Sequence, residues 1–78
     1  MITVSVCYAT PEMQVEVPLT VERICTVAVA IKRSGILQRF PEIDLSRSCV
    51  GIYGKRTTPD TGIKDGDRIE IYRPLPCL

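Results

Sequence analysis

Apolar residues alternate with polar or small residues along the first twenty positions of the chain, with one interruption. The alternation runs through residues 2–8 and resumes over residues 13–20. A period of two with several β-branched side chains is typical of a strand that buries one face. The short connection contains Pro11, so the two segments predict a β-hairpin. Because proline cannot donate a ladder hydrogen bond, Pro18 predicts that the second strand lies at a sheet edge.

The spacing of the apolar residues changes to that of a helix after Thr26. Apolar and small residues recur at intervals of three and four over residues 27–34, which predicts an amphipathic helix. The Thr26 hydroxyl suits the N-cap, and Gly35 suits the left-handed position that follows a helix. Further apolar residues within 36–40 predict a short additional turn of helix, which Pro41 ends.

Two more alternating segments follow the helix. Residues 49–53 and residues 68–72 are rich in β-branched and aromatic side chains and predict strands, with a short strand between them over residues 55–57. Gly54 predicts a bend or a bulge between the short strands. Gly66 predicts a tight turn with a positive φ angle before the last strand.

The order of these elements predicts an α+β fold of ββαββ type, in which a mixed sheet packs on one helix. A right-handed crossing through the helix would place the first and last strands side by side and parallel at the centre of the sheet. This is the β-grasp arrangement, the fold of ubiquitin. We expect a single domain over residues 1–75 and a short tail over residues 76–78.

Composition narrows the classes of function. The chain has 78 residues, of which 45% are hydrophobic and 24% charged, as in a compact soluble domain. Ten basic against nine acidic residues give a net charge of +1, so a broad nucleic-acid-binding surface is not expected. The absence of histidine excludes triads, general bases and metal sites built on that side chain.

The four cysteines predict neither a metal site nor a redox motif. They stand far apart in the sequence, without a C-x-x-C pair, so a zinc ribbon or a thioredoxin-like site is not expected. The first residues do not resemble a secretory signal, and no apolar run is long enough to span a membrane. We therefore expect a cytoplasmic protein with reduced thiols, without a cofactor, a metal or membrane insertion.

The residues that could support catalysis are better explained by local structure. Asp65 and Asp67 flank Gly66 and are typical of a turn, without the further oxygen ligands of a Ca²⁺ loop. The glycines at 51 and 54, followed by Lys55, lack the spacing of a phosphate-binding loop. We expect that the protein is not an enzyme and has no small-molecule substrate.

Three segments carry a resemblance to a known family. They are FPEIDL at residues 40–45, VGIYGK at residues 50–55 and DGDRIEIYRPL at residues 65–75. In combination they resemble the RnfH family of small bacterial ubiquitin-like proteins, over residues 2–75. The resemblance implies a β-grasp fold and a bacterial cytosolic protein. Genes of the family lie near those of an Rnf electron-transport complex, and members also occur beside a toxin–antitoxin-like gene. Each of these neighbourhoods implies a role.

The sequence favours three classes of function over conjugation. Ubiquitin-like modifiers end in a thin Gly-Gly tail, whereas this sequence ends in PLPCL, so conjugation is not expected. The first hypothesis is a non-catalytic protein-interaction module. The alternatives are an accessory subunit of an Rnf-type electron-transport complex, and a toxin–antitoxin-associated or RNA- or ribosome-associated regulator.

A partner surface is expected on the sheet face turned away from the helix, because tyrosine and arginine are enriched at interface hot spots. The alternative is an ordinary solvated face in which Arg68 and Glu70 pair with neighbours. The proposed binding residues are Tyr53, Lys55, Arg56, Arg68, Tyr72 and Arg73.

Overall fold

The computed structural model describes residues 1–9 and 12–72 and has the β-grasp architecture that the sequence predicts. Its strands are β1 (Ile2–Ala9), β2 (Gln14–Val21), β3 (Cys49–Ile52), β4 (Lys55–Thr57) and β5 (Arg68–Tyr72), and its helices are α1 (Val27–Ser34) and α2 (Ile36–Arg39). The strand order is β2-β1-β5-β3-β4, with β1 and β5 parallel and every other pair antiparallel. The parallel central pair and the edge position of β2 are therefore confirmed.

Pro18 lies on β2 where a missing N–H costs no ladder bond. It is in register with Ser5 of β1. The Ser5 N–H points the other way and donates to the Asp67 carbonyl, at 3.1 Å. The Ser5–Pro18 pair is therefore one of the non-hydrogen-bonded pairs of the antiparallel ladder, and the proline nitrogen lies on the outer edge of the sheet.

The predicted caps set the limits of α1. The Thr26 hydroxyl accepts a hydrogen bond from the backbone N–H of Val29, at 3.4 Å. Gly35 follows the helix with a φ of 79°, in the left-handed region, and its N–H donates to the Lys32 carbonyl. The apolar residues Val27 and Ile31 turn inward and are fully buried.

The core lies between α1 and one face of the sheet. Both helices and four of the strands contribute fully buried side chains to it. The largest are Val6, Val21, Val27, Ile31, Ile36, Val50 and Ile69. Successive strand side chains point to opposite faces, so the neighbours of these residues in each strand lie on the face away from the helix. That second face is therefore not used by the core of this domain.

The end of β3 differs from the prediction. The strand ends at Ile52, which pairs with Lys55, and so Tyr53 and Gly54 form a two-residue turn. Their φ angles are 50° and 80°, and two positive φ angles are what a type I′ hairpin turn requires. The prediction that Tyr53 continues the strand was wrong, because alternation does not show where a two-residue turn begins. Gly54 bends the chain between the short strands as predicted, as part of a hairpin turn and not as a bulge.

Arg73, the domain boundary at residue 75 and the tail over residues 76–78 lie outside the described residues. Within the described part of the chain, no helix is long and apolar enough to cross a membrane.

Candidate functional site

One row of residues in register crosses all five strands on the sheet face away from α1. Cys7 on β1 is in register with Glu16 on β2 and with Glu70 on β5. Gly51 on β3 is in register with Glu70 and with Arg56 on β4. Residues in register point to the same side of a sheet. This row and its neighbours on the same side, Ser5, Ala9, Gln14, Cys49, Arg68 and Tyr72, are called the free face below.

Glu70 is the centre of the polar contacts on the free face. Its Oε1 accepts hydrogen bonds from the Tyr72 hydroxyl at 2.7 Å and from the Gly54 backbone N–H at 2.8 Å. Its Oε2 lies 3.4 Å from Nε of Arg68. Nη1 of Arg68 in turn lies 3.7 Å from Oε1 of Glu16. These five groups form one connected set, the Glu70 network.

The network shifts the pKa values of two of its members, Glu70 and Tyr72. The hydrogen bond from the Tyr72 hydroxyl, with those from Gly54 and Arg68, holds the pKa of Glu70 below its ordinary value, against the opposing effect of burial. The same bond to the Glu70 carboxylate raises the pKa of the Tyr72 hydroxyl. At neutral pH Glu70 is therefore an anion that accepts, and Tyr72 is a neutral donor.

The ring of Tyr72 lies over the backbone of Gly51. A Cβ atom built at position 51 would be 2.5 Å from the Tyr72 hydroxyl oxygen and 2.9 Å from Cε2 of the ring. It would also be 2.8 Å from the Lys55 carbonyl oxygen. Only glycine fits this approach, so the position of the tyrosine on the free face depends on the absence of a side chain at residue 51.

A shallow hollow of about 320 Å³ lies beside Tyr72, between β2 and β5. The small side chains of β1, Cys7 and Ala9, separate the longer side chains of Glu16 and Glu70 on either side. Cys7 is only 9% exposed because of these neighbours, and burial raises the pKa of its thiol. Alternation alone places Cys7 on the open face; the long flanking side chains cover it.

Two of the predicted binding residues come together on β5. Arg68 and Tyr72 point to the same side, and both contact the Glu70 carboxylate that lies between them. Tyr53 is in the turn after β3, 64% exposed, and its hydroxyl donates to the Gly66 carbonyl at 2.6 Å. The turn is nevertheless tied to the network, because Gly54 donates to Glu70.

The predicted residues on β4 lie on opposite sides of the sheet. Arg56 is in register with Gly51 and belongs to the free face, where its Nη2 donates to Sγ of Cys49. Lys55 is in register with Ile52, which pairs with the buried Ile69, so its row belongs to the other face. Lys55 itself is exposed at the sheet edge.

The central role of Glu70 was not predicted, although the sequence shows that it lies between Arg68 and Tyr72. Alternation places Glu16 and Glu70 on the same face, but it does not show that a single arginine reaches both. No group of three or more cysteine, aspartate or glutamate side chains within residues 1–9 and 12–72 is arranged to hold a metal ion.

Comparison with known proteins gives matches over nearly the whole chain. The profile described as RnfH family Ubiquitin matches residues 2–77. Protein RnfH of Coxiella burnetii (strain Dugway 5J108-111) is 68% identical over 75 residues, which cover 96% of this chain and 74% of that protein. Protein RnfH of Methylococcus capsulatus is 53% identical over 72 residues, covering 92% of this chain and 76% of the relative.

Solved structures with the same fold have distant sequences. SAMP1 from Haloferax volcanii superposes with a TM-score of 0.70 at 13% identity, covering 97% of this chain and 99% of the other. A ubiquitin-like protein from Caldiarchaeum subterraneum gives a TM-score of 0.56 at 15% identity, covering 97% and 100%. At such identities the likeness is one of fold, and it agrees with the strand order described above.

Proposed function

Because this chain belongs to the RnfH family of ubiquitin-like proteins, we propose that it is a non-catalytic protein-interaction module that works in the bacterial cytoplasm. The free face binds the partner. The observation that carries this proposal is the Glu70 network, which holds an arginine and a tyrosine in fixed positions on a face that the core does not use.

Fixed side chains favour binding for an entropic reason. An arginine that is free in solution loses rotamer freedom when a partner binds it, at a cost of about 0.5–1.5 kcal/mol. Arg68 is already directed by Glu16 and Glu70, and Tyr72 is already held by Glu70 and by the backbone of Gly51. Part of that cost is therefore met before the partner arrives.

Arg68 and Tyr72 are the centre of the proposed surface, with Glu70 as the residue that positions them. Arg56 extends the surface toward β4, and Tyr53 borders it through the turn that Gly54 ties to Glu70. The free-face residues proposed to contact the partner are Tyr53, Arg56, Arg68 and Tyr72. Arg73, outside the described residues, stays in the proposed set because it follows Tyr72 in the sequence. Lys55, whose row belongs to the other face, can contact the partner only from the sheet edge.

Affinity purification from the native host, followed by mass spectrometry, tests this function. The full chain is used as bait beside Arg68→Ala and Tyr72→Ala. Arg47→Ala is the matched control, because it removes an exposed arginine from the connection before β3. We expect one protein to be captured by the unchanged chain and by the control, and to be lost with both free-face variants.

The captured protein is then purified and titrated against each variant. We expect the dissociation constant to rise by about tenfold or more for Arg68→Ala and Tyr72→Ala, as at interface hot spots. Unchanged affinity in variants that melt normally would exclude the free face. A subunit of a membrane electron-transport complex, or a ribosomal component, would identify which of the two narrower roles applies.

A further inference from the structure

A second surface feature lies on the helix side of the molecule, where β2 leads into α1. It is a hollow of about 380 Å³, which we call the Ile24 patch, and it is lined by Arg23, Ile24, Cys25, Thr26, Val29, Gly62 and Ile63. Ile24 is 96% exposed and Val29 is 37% exposed, while Cys25 and Ile63 are buried beneath them. The patch thus combines an apolar floor with two apolar side chains that extend into solvent.

The floor of the patch is held by backbone hydrogen bonds. The Ile63 N–H donates to the Cys25 carbonyl at 3.1 Å, and the Val27 N–H donates to the Thr61 carbonyl at 3.0 Å. Thr26 and Gly62 form an isolated antiparallel bridge between these two bonds. The hollow is therefore part of the folded framework and does not need to form when a ligand arrives.

Val29 is an unfavourable choice for folding alone. It is the third residue of α1, where a glutamate could bond back to the N-cap and interact with the helix dipole. The first turn of α1 contains no acidic residue. A single exposed apolar residue needs no explanation, but here two of them adjoin one apolar hollow. A requirement other than stability accounts better for the choice of valine.

Two basic side chains adjoin the patch, one on the segment that leads into α1 and one on the helix. The other charged residues near them in the sequence include Glu22 and Arg33. The acidic residue, Glu22, is paired with Arg33. Arg23 lines the patch, and Lys32 follows Val29 by three positions, on the same side of α1. Within the part of the chain that the structure describes, neither Arg23 nor Lys32 has an ion-pair partner.

We propose that the Ile24 patch docks an acidic segment of a protein partner. An apolar side chain of that segment enters the hollow between Ile24 and Val29, and carboxylates beside it pair with Arg23 and Lys32. This surface lies on the helix side of the sheet, away from the Glu70 network, so it is a second site and does not depend on the function proposed for the free face.

The shape of the patch favours a peptide over a lipid surface. A helix that lies on a membrane presents a long apolar stripe to the acyl chains. The buried apolar residues of α1, which include Val27 and Ile31, face the core, and the helix has only eight residues. The Ile24 patch is instead a concave site with a basic rim, which suits one apolar side chain flanked by acidic residues.

Selection from a library of random peptides displayed on phage tests the proposal, with the full chain as the immobilised target. We expect enrichment of sequences in which Leu, Ile or Phe is flanked by Asp and Glu. The best peptide is synthesised with a fluorophore, and its dissociation constant is measured by anisotropy at low and moderate salt. Affinity should fall as salt rises, because exposed charge pairs are screened.

Variants locate the binding. Val29→Glu should raise the dissociation constant of the peptide by about tenfold or more, because it places a negative charge in the apolar hollow. Arg23→Ala should raise the dissociation constant by a smaller factor. Arg39→Ala, a basic residue on α2 outside the patch, and Arg68→Ala on the free face should leave the dissociation constant unchanged. Thermal melting of every variant separates loss of binding from loss of fold.

Several outcomes would overturn the proposal. They are selected peptides without acidic residues, unchanged affinity in Val29→Glu, or equal losses in Arg68→Ala, which would assign the peptide to the free face. Co-sedimentation with phosphatidylglycerol vesicles that is lost in Val29→Glu would show instead that the patch binds a lipid surface. Failure here leaves the affinity-purification result for the free face untouched, because the two surfaces are changed by different variants.

Discussion

The ring of Tyr72 occupies the space that a side chain at position 51 would need. A Cβ atom on Gly51 would stand 2.5 Å from the tyrosine hydroxyl oxygen, well inside any tolerable contact. The ring thus lies close to the backbone of β3 while its hydroxyl donates to Glu70 on β5. One glycine in a buried strand thereby determines where the main aromatic residue of the free face lies.

Gly51→Ala tests this packing. The added methyl group meets the Tyr72 ring and also the Lys55 carbonyl, and the latter is backbone that moves only with β4. We expect a loss of about 1–3 kcal/mol in the free energy of unfolding, as for overpacked cores. Urea denaturation followed by circular dichroism measures it. Gly62→Ala is the control, since a Cβ there meets nothing within 4 Å; equal stability of the two variants would contradict the account.

Glu70→Gln should change how stability depends on pH. Because the folded state lowers the pKa of Glu70, the unfolded chain binds its proton more readily. The stabilisation is complete above the ordinary glutamate pKa of about 4.3 and is lost as pH falls through the lower value in the folded protein. The difference in unfolding free energy between the unchanged chain and the variant should therefore shrink as the pH falls below the ordinary glutamate pKa. A constant difference would show that the network does not stabilise the carboxylate.

Tyr72→Phe removes the hydroxyl and keeps the ring over Gly51. The lost hydrogen bond to Glu70 should cost about 1 kcal/mol of stability. The bond also raises the pKa of Tyr72, so the variant should lose the absorbance change of one tyrosine from the part of the titration above the ordinary tyrosine pKa of about 10. Loss of that absorbance change from the ordinary range instead would contradict the bond to Glu70.

Val29→Glu should increase stability while it damages the Ile24 patch. A glutamate at the third position of α1 faces the helix N-terminus and can reach the backbone N–H of Thr26. We expect a gain of about 0.3–1 kcal/mol. Thermal and urea unfolding of the variant beside the unchanged chain measure it. A clear loss of stability would mean that Val29 serves the fold, which removes the main reason to infer a second binding surface.

Most of the fold was predictable because strands, helix ends and turns each depend on a few residues that are close in sequence. Alternation predicted the hairpin and the buried face of β5. The Thr26 hydroxyl and the ability of Gly35 to adopt a left-handed conformation predicted the two ends of α1. The turn at Tyr53 was missed, since tyrosine is not a residue that usually takes a positive φ angle. In the structure its hydroxyl donates to the Gly66 carbonyl, far along the chain.

The candidate site was less predictable than the fold because it depends on lateral register. Alternation divides side chains between two faces, but it does not say which strand lies beside which. Glu16 and Glu70 reach the same arginine only because β1 lies between β2 and β5. Lys55 and Arg56 were both expected at the partner surface, yet the pairing of β3 with β4 places them on opposite faces.

An NMR titration of the ¹⁵N-labelled chain with the purified partner shows whether the partner binds the free face. The Gly54 amide, which donates to Glu70, reports on the network, and the amides of β5 report on the free face. We expect the largest shift changes at Gly54 and over residues 68–72, and we expect them to be absent when Arg68→Ala is titrated. Shift changes confined to α1, or scattered over the whole chain, would contradict binding at the free face.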